Sequence, residues 1–332
     1  MINVGNRSEW LFVISTIVAT LFFVVCARVL HMPWFVFRVF APLFMAVFVV
    51  KVGVGKSYWV NVCAIVVLSF ALTFHWRVAL SVGVWAVVVG TAMGLALRAK
   101  LSIDKLIAVA SLGHLAYYLL SIGIQNAVFK QNIVLGKIER IRVLIDKLFE
   151  ISKRDAQSQA YQNMLDQAQT LYKVVPTILQ QIFPAMLVIF CMMLGYITFL
   201  CVKKLLKIVG AQTGEFKPFR EFRIPKSMVW IVLLLILMQP LFEDPILQIV
   251  VVNAWLIMVA IITFVGLSVV DYFSKNIGIP GIARIFLYVC ATLVLSLISI
   301  VLPINPFQLL MFIGIFDTFF NMRKLDKGGQ AN

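Results

Sequence analysis

Charge is scarce in this sequence, and acidic charge scarcest of all. Of 332 residues only 14 are Asp or Glu, and charged residues of both signs make up 13%, where a soluble domain carries about 25%. A water-soluble fold needs a charged shell, so that class is excluded. Histidine is nearly missing too. His31, His75 and His114 fall on separate segments without the spacing of a helical metal site, and no Ser, His and acid stand in a nucleophile context. Neither a catalytic set nor a metal or other cofactor is expected. The five cysteines, Cys26, Cys63, Cys191, Cys201 and Cys290, lie in or at the ends of apolar runs with no pair at metal-ligand spacing, which argues against a disulfide framework or a zinc site. The segment Lys51-Val52-Gly53-Val54-Gly55-Lys56-Ser57 ends like a phosphate-binding loop, but the pattern needs glycine where Val50 stands.

What is present is apolar. Hydrophobic residues make up 62% of the chain and the mean hydropathy is +1.00. Lipid offers no water to backbone N–H and C=O groups, so spanning segments must be helices or closed barrels; the runs here have helix length and lack strand alternation. The expectation is an all-α polytopic transmembrane bundle of about ten spans, near 10–30, 33–50, 58–74, 78–97, 106–124, 176–202, 225–242, 246–270, 284–302 and 306–321. This divides the chain into a five-span region (1–129), an extracytoplasmic hairpin (130–175) and a second five-span region (176–332) with a basic loop at 203–226. The short runs at 225–242 and 306–321 are the ones whose full crossing is least secured by length. The first run, from Trp10 to Ala27, is longer than a signal h-region and lacks small residues for cleavage, so it reads as an uncleaved helix.

Lys and Arg in the short connections set orientation. One side carries Arg7, Lys51, Lys56, Arg98, Lys100, Lys105, the run Lys203 to Lys226, Lys275, Arg284 and Arg323 to Lys327; the other has Arg28, Arg38 and Arg77 in its short loops. Both termini are therefore expected on the cytoplasmic side of the membrane. The net charge of +15 then decorates one membrane face and implies no nucleic acid. Lys203, Lys204, Lys207, Arg220 and Arg223 are candidates for anionic lipid or a partner's acidic surface.

In 130–175 the positions Val134, Ile138, Ile141, Ile145 and Leu148 step by four and three, and Tyr161, Leu165, Ala168, Leu171 and Val175 form a second stripe. The two are expected to close on each other in a helical hairpin, with a docking surface as the rival use. On the fourth span Ala86, Gly90 and Gly94 repeat every four positions, a face on which helix backbones can approach closely, either inside the chain or with a transmembrane partner subunit.

Polar groups within the spans carry the functional expectation, because ionisable side chains in hydrocarbon are costly unless solvated or paired. Arg28, Arg38, His114 and Asn253 are placed around an outward recess that could bind a substrate. Asp271, Asp317 and Arg323 form an inner-rim set, structural or coupling in role.

Four stretches of the C-terminal half are familiar: Phe183-Pro184-Ala185, Pro218-Phe219-Arg220-Glu221-Phe222-Arg223-Ile224-Pro225, Gly266, and Gly314-Ile315-Phe316-Asp317-Thr318-Phe319-Phe320-Asn321-Met322-Arg323-Lys324. They resemble the YybS-like family of bacterial multi-pass membrane proteins, most specifically over 176–324. The family has no assigned activity. The resemblance implies a distant kinship with substrate-capture subunits of energy-coupling-factor vitamin transporters, hence a small-molecule transport component; the rival is a membrane scaffold or assembly factor holding partners through the hairpin and the basic loop.

Overall fold

The computed structural model describes residues 4–29, 34–130, 132–154, 159–210, 218–280, 283–284 and 306–324. Among them there is no strand. Eleven α-helices can be followed: α1 (Val4–Val29), α2 (Trp34–Lys51), α3 (Lys56–Thr73), α4 (Trp76–Trp85), α5 (Ala92–Arg98), α6 (Ile103–Phe129), α7 (Ile133–Arg154), α8 (Gln159–Ile208), α9 (Lys226–Met238), α10 (Pro245–Asn276) and α11 (Pro306–Phe320). A π-helical stretch, Ala86–Thr91, joins α4 to α5.

Among the described residues four stretches are long and apolar enough to cross a bilayer: Trp76–Arg98, Ile103–Val128, Tyr172–Ile208 and Pro245–Asn276. Shorter apolar helices cover Glu9–Thr20, Pro42–Lys51, Lys56–Ala71, Lys226–Leu241 and Phe307–Phe320. The helices fall where the apolar runs predict them; the run 284–302, apart from Arg284, lies outside the described residues. Helix ends have local causes. Phe74, Lys100, Lys130 and Asn321 take left-handed conformations at φ between 47° and 53°, which stops a helix by turning its last amide back. The Asp244 carboxylate accepts from the amides of Ile246 (2.7 Å) and Leu247 (3.4 Å), with Pro245 at the first helical position. That cap separates α9 from α10 within a stretch that is apolar on both sides.

The chain forms two compact units: Met1–Pro176 with Leu187–Phe216, and Thr177–Met186 with Lys217–Asn332. In the first, the small-residue stripe meets α2. A Cβ on Gly90 would stand 2.7 Å from the Pro42 carbonyl oxygen, and one on Gly94 2.9 Å from that of Ala46. Ala86, Gly90 and Gly94 are buried, so this face is packed within the chain. α6 and α8 approach as closely, since a Cβ on Gly195 would lie 2.3 Å from Ser111 Oγ.

The hairpin departs from its expected register. Ile138 and Phe149 are buried, with Val134 and Ile145 half-buried, whereas Ile141 and Leu148 are exposed. Positions stepping by four and three repeat every 3.5 residues and drift around a straight helix of 3.6 per turn, so burial takes one edge of the stripe. The second stripe lies outside the described side chains except at its end, where Val175 is half-buried.

Candidate functional site

In the first unit α3 is apolar outside and polar inside. Trp59, Val60, Val67 and Phe70 are exposed, while Tyr58, Asn61, Ile65, Ser69 and Thr73 are buried. Spacings of three or four bring these five to one face, and from Tyr58 to Thr73 they extend about 22 Å at 1.5 Å per residue, most of a bilayer's hydrocarbon thickness. Tyr58 Oη and Thr91 Oγ1 share a hydrogen bond of 2.7 Å, and Thr73 Oγ1 donates to the Ser69 carbonyl at 2.7 Å. Asn61 is 0% exposed, yet neither its Nδ2 nor its Oδ1 has a partner among the described residues, and Ser69 Oγ has none either. On α1, which packs along α3, the buried face holds Thr16 and Thr20, whose hydroxyls donate to the Phe12 and Thr16 carbonyls at 2.8 Å each. Their oxygens keep acceptor capacity.

His114 lies deep in the same unit, 0% exposed. Trp85 donates its indole N–H to His114 Nδ1 at 3.0 Å, and His114 Nε2 is 3.0 Å from Thr198 Oγ1. An indole N–H can only donate, so Nδ1 is the acceptor; the neutral imidazole then carries its proton on Nε2 and donates to Thr198. Trp85 stacks on Tyr117 at 4.1 Å between ring centroids and meets Tyr118 edge-on at 5.5 Å. Ser81 Oγ bonds Tyr117 Oη. Trp85 is the last residue before the π-helical stretch, a departure from α geometry that needs local packing to hold it. Both nitrogens of His114 are thus engaged within a closed aromatic cluster.

Of the four substrate-binding candidates, the side chains of Arg28 and Arg38 lie outside the described residues, His114 belongs to the first unit and Asn253 to the second. There its amide replaces a rung of the α8 ladder. Ala185 N–H donates to Asn253 Oδ1 at 2.8 Å, and Asn253 Nδ2 donates to the Gln181 carbonyl at 2.8 Å and to the Ile249 carbonyl at 2.7 Å. Pro184, which disturbs the preceding turn and has no N–H of its own, stands beside this opening. Asn253 therefore serves as a peptide-shaped splice between α10 and α8.

The inner-rim residues form a closed cage. Arg323, with a side chain 0% exposed, donates from Nε and Nη2 to Asp317 Oδ2 at 3.0 and 2.7 Å. Its Nη1 donates to Ser268 Oγ at 2.9 Å and to the Arg220 carbonyl, and Nη2 also reaches the Phe222 carbonyl at 2.9 Å. All five guanidinium protons find acceptors. Arg223 donates to Asn321 Oδ1, so Arg220 and Arg223, expected at a partner or lipid surface, are tied to the cage by a carbonyl and a side chain. Behind it α10 and α11 touch backbone to backbone, since a Cβ on Gly266 would stand 1.8 Å from the Leu310 carbonyl oxygen. Asp271 pairs instead with Arg284 at 2.9 Å. Lys203, Lys204 and Lys207 lie on the last turns of α8, with Lys204 and Lys207 exposed. Among the described residues no three His, Cys, Asp or Glu side chains are grouped to hold a metal.

Asn61 and Ser69 were missed as candidates, although the spacing of Tyr58, Asn61, Ile65, Ser69 and Thr73 is itself the signal of a shared face. The four stretches all fall in the second unit. Phe183-Pro184-Ala185 holds the Asn253 splice, Pro218–Pro225 and Gly314–Lys324 build the arginine cage, and Gly266 sets the helix approach behind it.

No solved structure matches the chain. The uncharacterized protein YybS of Bacillus subtilis (strain 168) is 22% identical over 278 residues, 82% of this chain and 86% of that protein. The model of a family described as predicted membrane protein (DUF2232) matches residues 16–318, and the chain belongs to that family.

Proposed function

We propose that this membrane protein is a solute-handling component of a transport system, with the inner face of α3 as the surface that a neutral polar solute or a file of water contacts. The observation that carries the reading is the Asn61 amide, buried with neither its donor nor its acceptor engaged among the described residues. An amide left unpaired in a low-dielectric interior costs about 1–3 kcal/mol, a cost that a molecule completing its hydrogen bonds removes. The face from Tyr58 to Thr73 holds no carboxylate, Lys or Arg, which fits a neutral occupant. Ten crossings, an inner-membrane location and cytoplasmic termini complete the reading, supported by the apolar runs and by the one-sided distribution of Lys and Arg.

The reading is tested by purifying the wild-type protein and Asn61→Leu in mild detergent and identifying retained small molecules by mass spectrometry. A neutral polar compound enriched with the wild type and lost from the variant supports it; identical profiles refute it. The scaffold reading draws on a different observation, the exposed apolar residues of α7, and predicts a co-purifying protein that is lost when α7 is altered.

A further inference from the structure

Helix α3 is fastened on one side and unfastened on the other. Val66 marks the side turned to α4, because a Cβ on Gly83 would stand 2.3 Å from Val66 Cγ2. Tyr58 Oη shares its hydrogen bond with Thr91 at the end of the π-helical stretch, so a close interlock and a polar bond both hold α3 to the segment running from α4 to α5. Asn61 lies five residues before Val66. At about 100° per residue that places it about 140° round the helix, on the far edge of the buried face. The other helix packed along α3 is α1, and this edge is the one turned to it.

Helix α1 is a flank. It packs on α2 and α3, while Leu11, Ile14, Val18, Phe22 and Val25 around the rest of its surface are exposed. Its buried face carries Thr16 and Thr20, and both hydroxyls donate to carbonyls of α1 itself. Asn61 has no partner among the described residues. Thr16, Thr20 and Asn61 thus make no hydrogen bond from one helix to the other, although packing and such bonds are what hold helices together in lipid. Asn61 is also wholly buried, so no water-sized space adjoins its amide in this conformation. Whatever completes its hydrogen bonds reaches it only after a neighbouring helix has moved.

We infer that α1 is the moving wall of the α3 face, shut in this structure, and that the unpaired Asn61 amide favours its opening along the α1–α3 seam. A shut seam leaves the donor and the acceptor of that amide unfilled, whereas an open one fills them from water or a solute, so the two states differ in hydrogen bonds at this residue. In the open state Thr16 and Thr20 line the opposite wall, their oxygens still able to accept. The inference rests on the proposed function for what enters, and not for the movement.

Pairs of nitroxide labels on outward-facing residues, in full-length protein with its native cysteines replaced, test the movement in vesicles of phosphatidylethanolamine with phosphatidylglycerol. Val18→Cys with Val67→Cys spans the α1–α3 seam, and Val67→Cys with Val84→Cys spans the α3–α4 side; all three positions are exposed. The expected result by pulsed dipolar spectroscopy is two separations for the first pair, differing by at least about 3 Å, the width of a water molecule, and one separation for the second. Adding Asn61→Leu should leave the first pair with its shorter separation alone. A single separation for the first pair, or a second separation appearing for the α3–α4 pair, overturns the inference, and two separations that persist in Asn61→Leu overturn the role given to the amide. A seam that opens while no small molecule is retained by the purified protein defeats the proposed function and leaves this inference standing; a retained compound with a fixed seam does the opposite.

Discussion

Replacing Asp317 by Ala should destabilise the second unit more than any exposed charge change in the chain. Asp317 is 3% exposed and provides the carboxylate for an arginine that is also buried. The substitution removes the acceptor of the Nε and Nη2 bonds at 3.0 and 2.7 Å, and of the Arg323 amide at 3.3 Å. Arg323 keeps Ser268 Oγ and the Arg220 and Phe222 carbonyls, which are neutral dipoles and cannot balance its charge. Removing one partner of a buried pair costs about 3–5 kcal/mol, a factor of a hundred to a few thousand in the folding equilibrium. Unfolding in mixed micelles by increasing dodecyl sulfate, followed by tryptophan fluorescence, measures the loss. The double variant Asp317→Leu with Arg323→Met should lose less than either single change, because no unpaired charge remains. A loss below about 0.5 kcal/mol for Asp317→Ala, the scale of an exposed pair, would refute the cage as a structural element.

Other changes test neighbouring features. Gly266→Ala places a Cβ 1.8 Å from the Leu310 carbonyl oxygen, so α10 and α11 must separate; a loss of about 1–3 kcal/mol or more is expected in the same unfolding assay, whereas Gly136→Ala, with nothing within 4 Å of its Cβ, should be tolerated. Asn253→Ala leaves the Ala185 amide and Gln181 carbonyl unpaired beside Pro184, with an expected cost of about 1–3 kcal/mol and faster amide exchange at Ala185. Asn253→Asp can accept from Ala185 but cannot donate to Gln181, so it should restore only part of the stability. His114→Phe removes the acceptor of the Trp85 indole N–H and the ring nitrogen bonded to the Thr198 hydroxyl, and should red-shift the tryptophan emission as the cluster loosens.

The helices were legible because length and apolarity in lipid leave little else for a chain to form. The boundary at Glu243-Asp244-Pro245 was visible as well, since a capping acid before proline starts a helix on local grounds. The arginine cage was half visible. Asp317 and Arg323 were read as a rim set from their nearness in sequence, but their burial depends on Asn321, whose left-handed turn folds the chain back. It depends too on the Arg220 and Phe222 carbonyls, about a hundred residues away, and no local pattern announces a carbonyl as an acceptor. Asn253 reads in the sequence as a lone amide in an apolar run; its backbone partners beside Pro184, the Ala185 amide and the Gln181 carbonyl, lie 68 and 72 residues away and no local pattern announces them. Asn61 escaped notice because depth was weighed without the helix face. The hairpin register slipped because a four-and-three spacing follows a heptad and burial follows the straight helix.

Aqueous labelling shows whether the inner face of α3 is wetted when the protein works. In a variant with the native cysteines replaced, Asn61→Cys, Ser69→Cys and the outward-facing Val67→Cys would each be treated in membrane vesicles with a charged methanethiosulfonate. With a wetted face, positions 61 and 69 react at least tenfold faster than position 67, despite being buried in the structure. Reaction at 61 and 69 no faster than at 67 would contradict it.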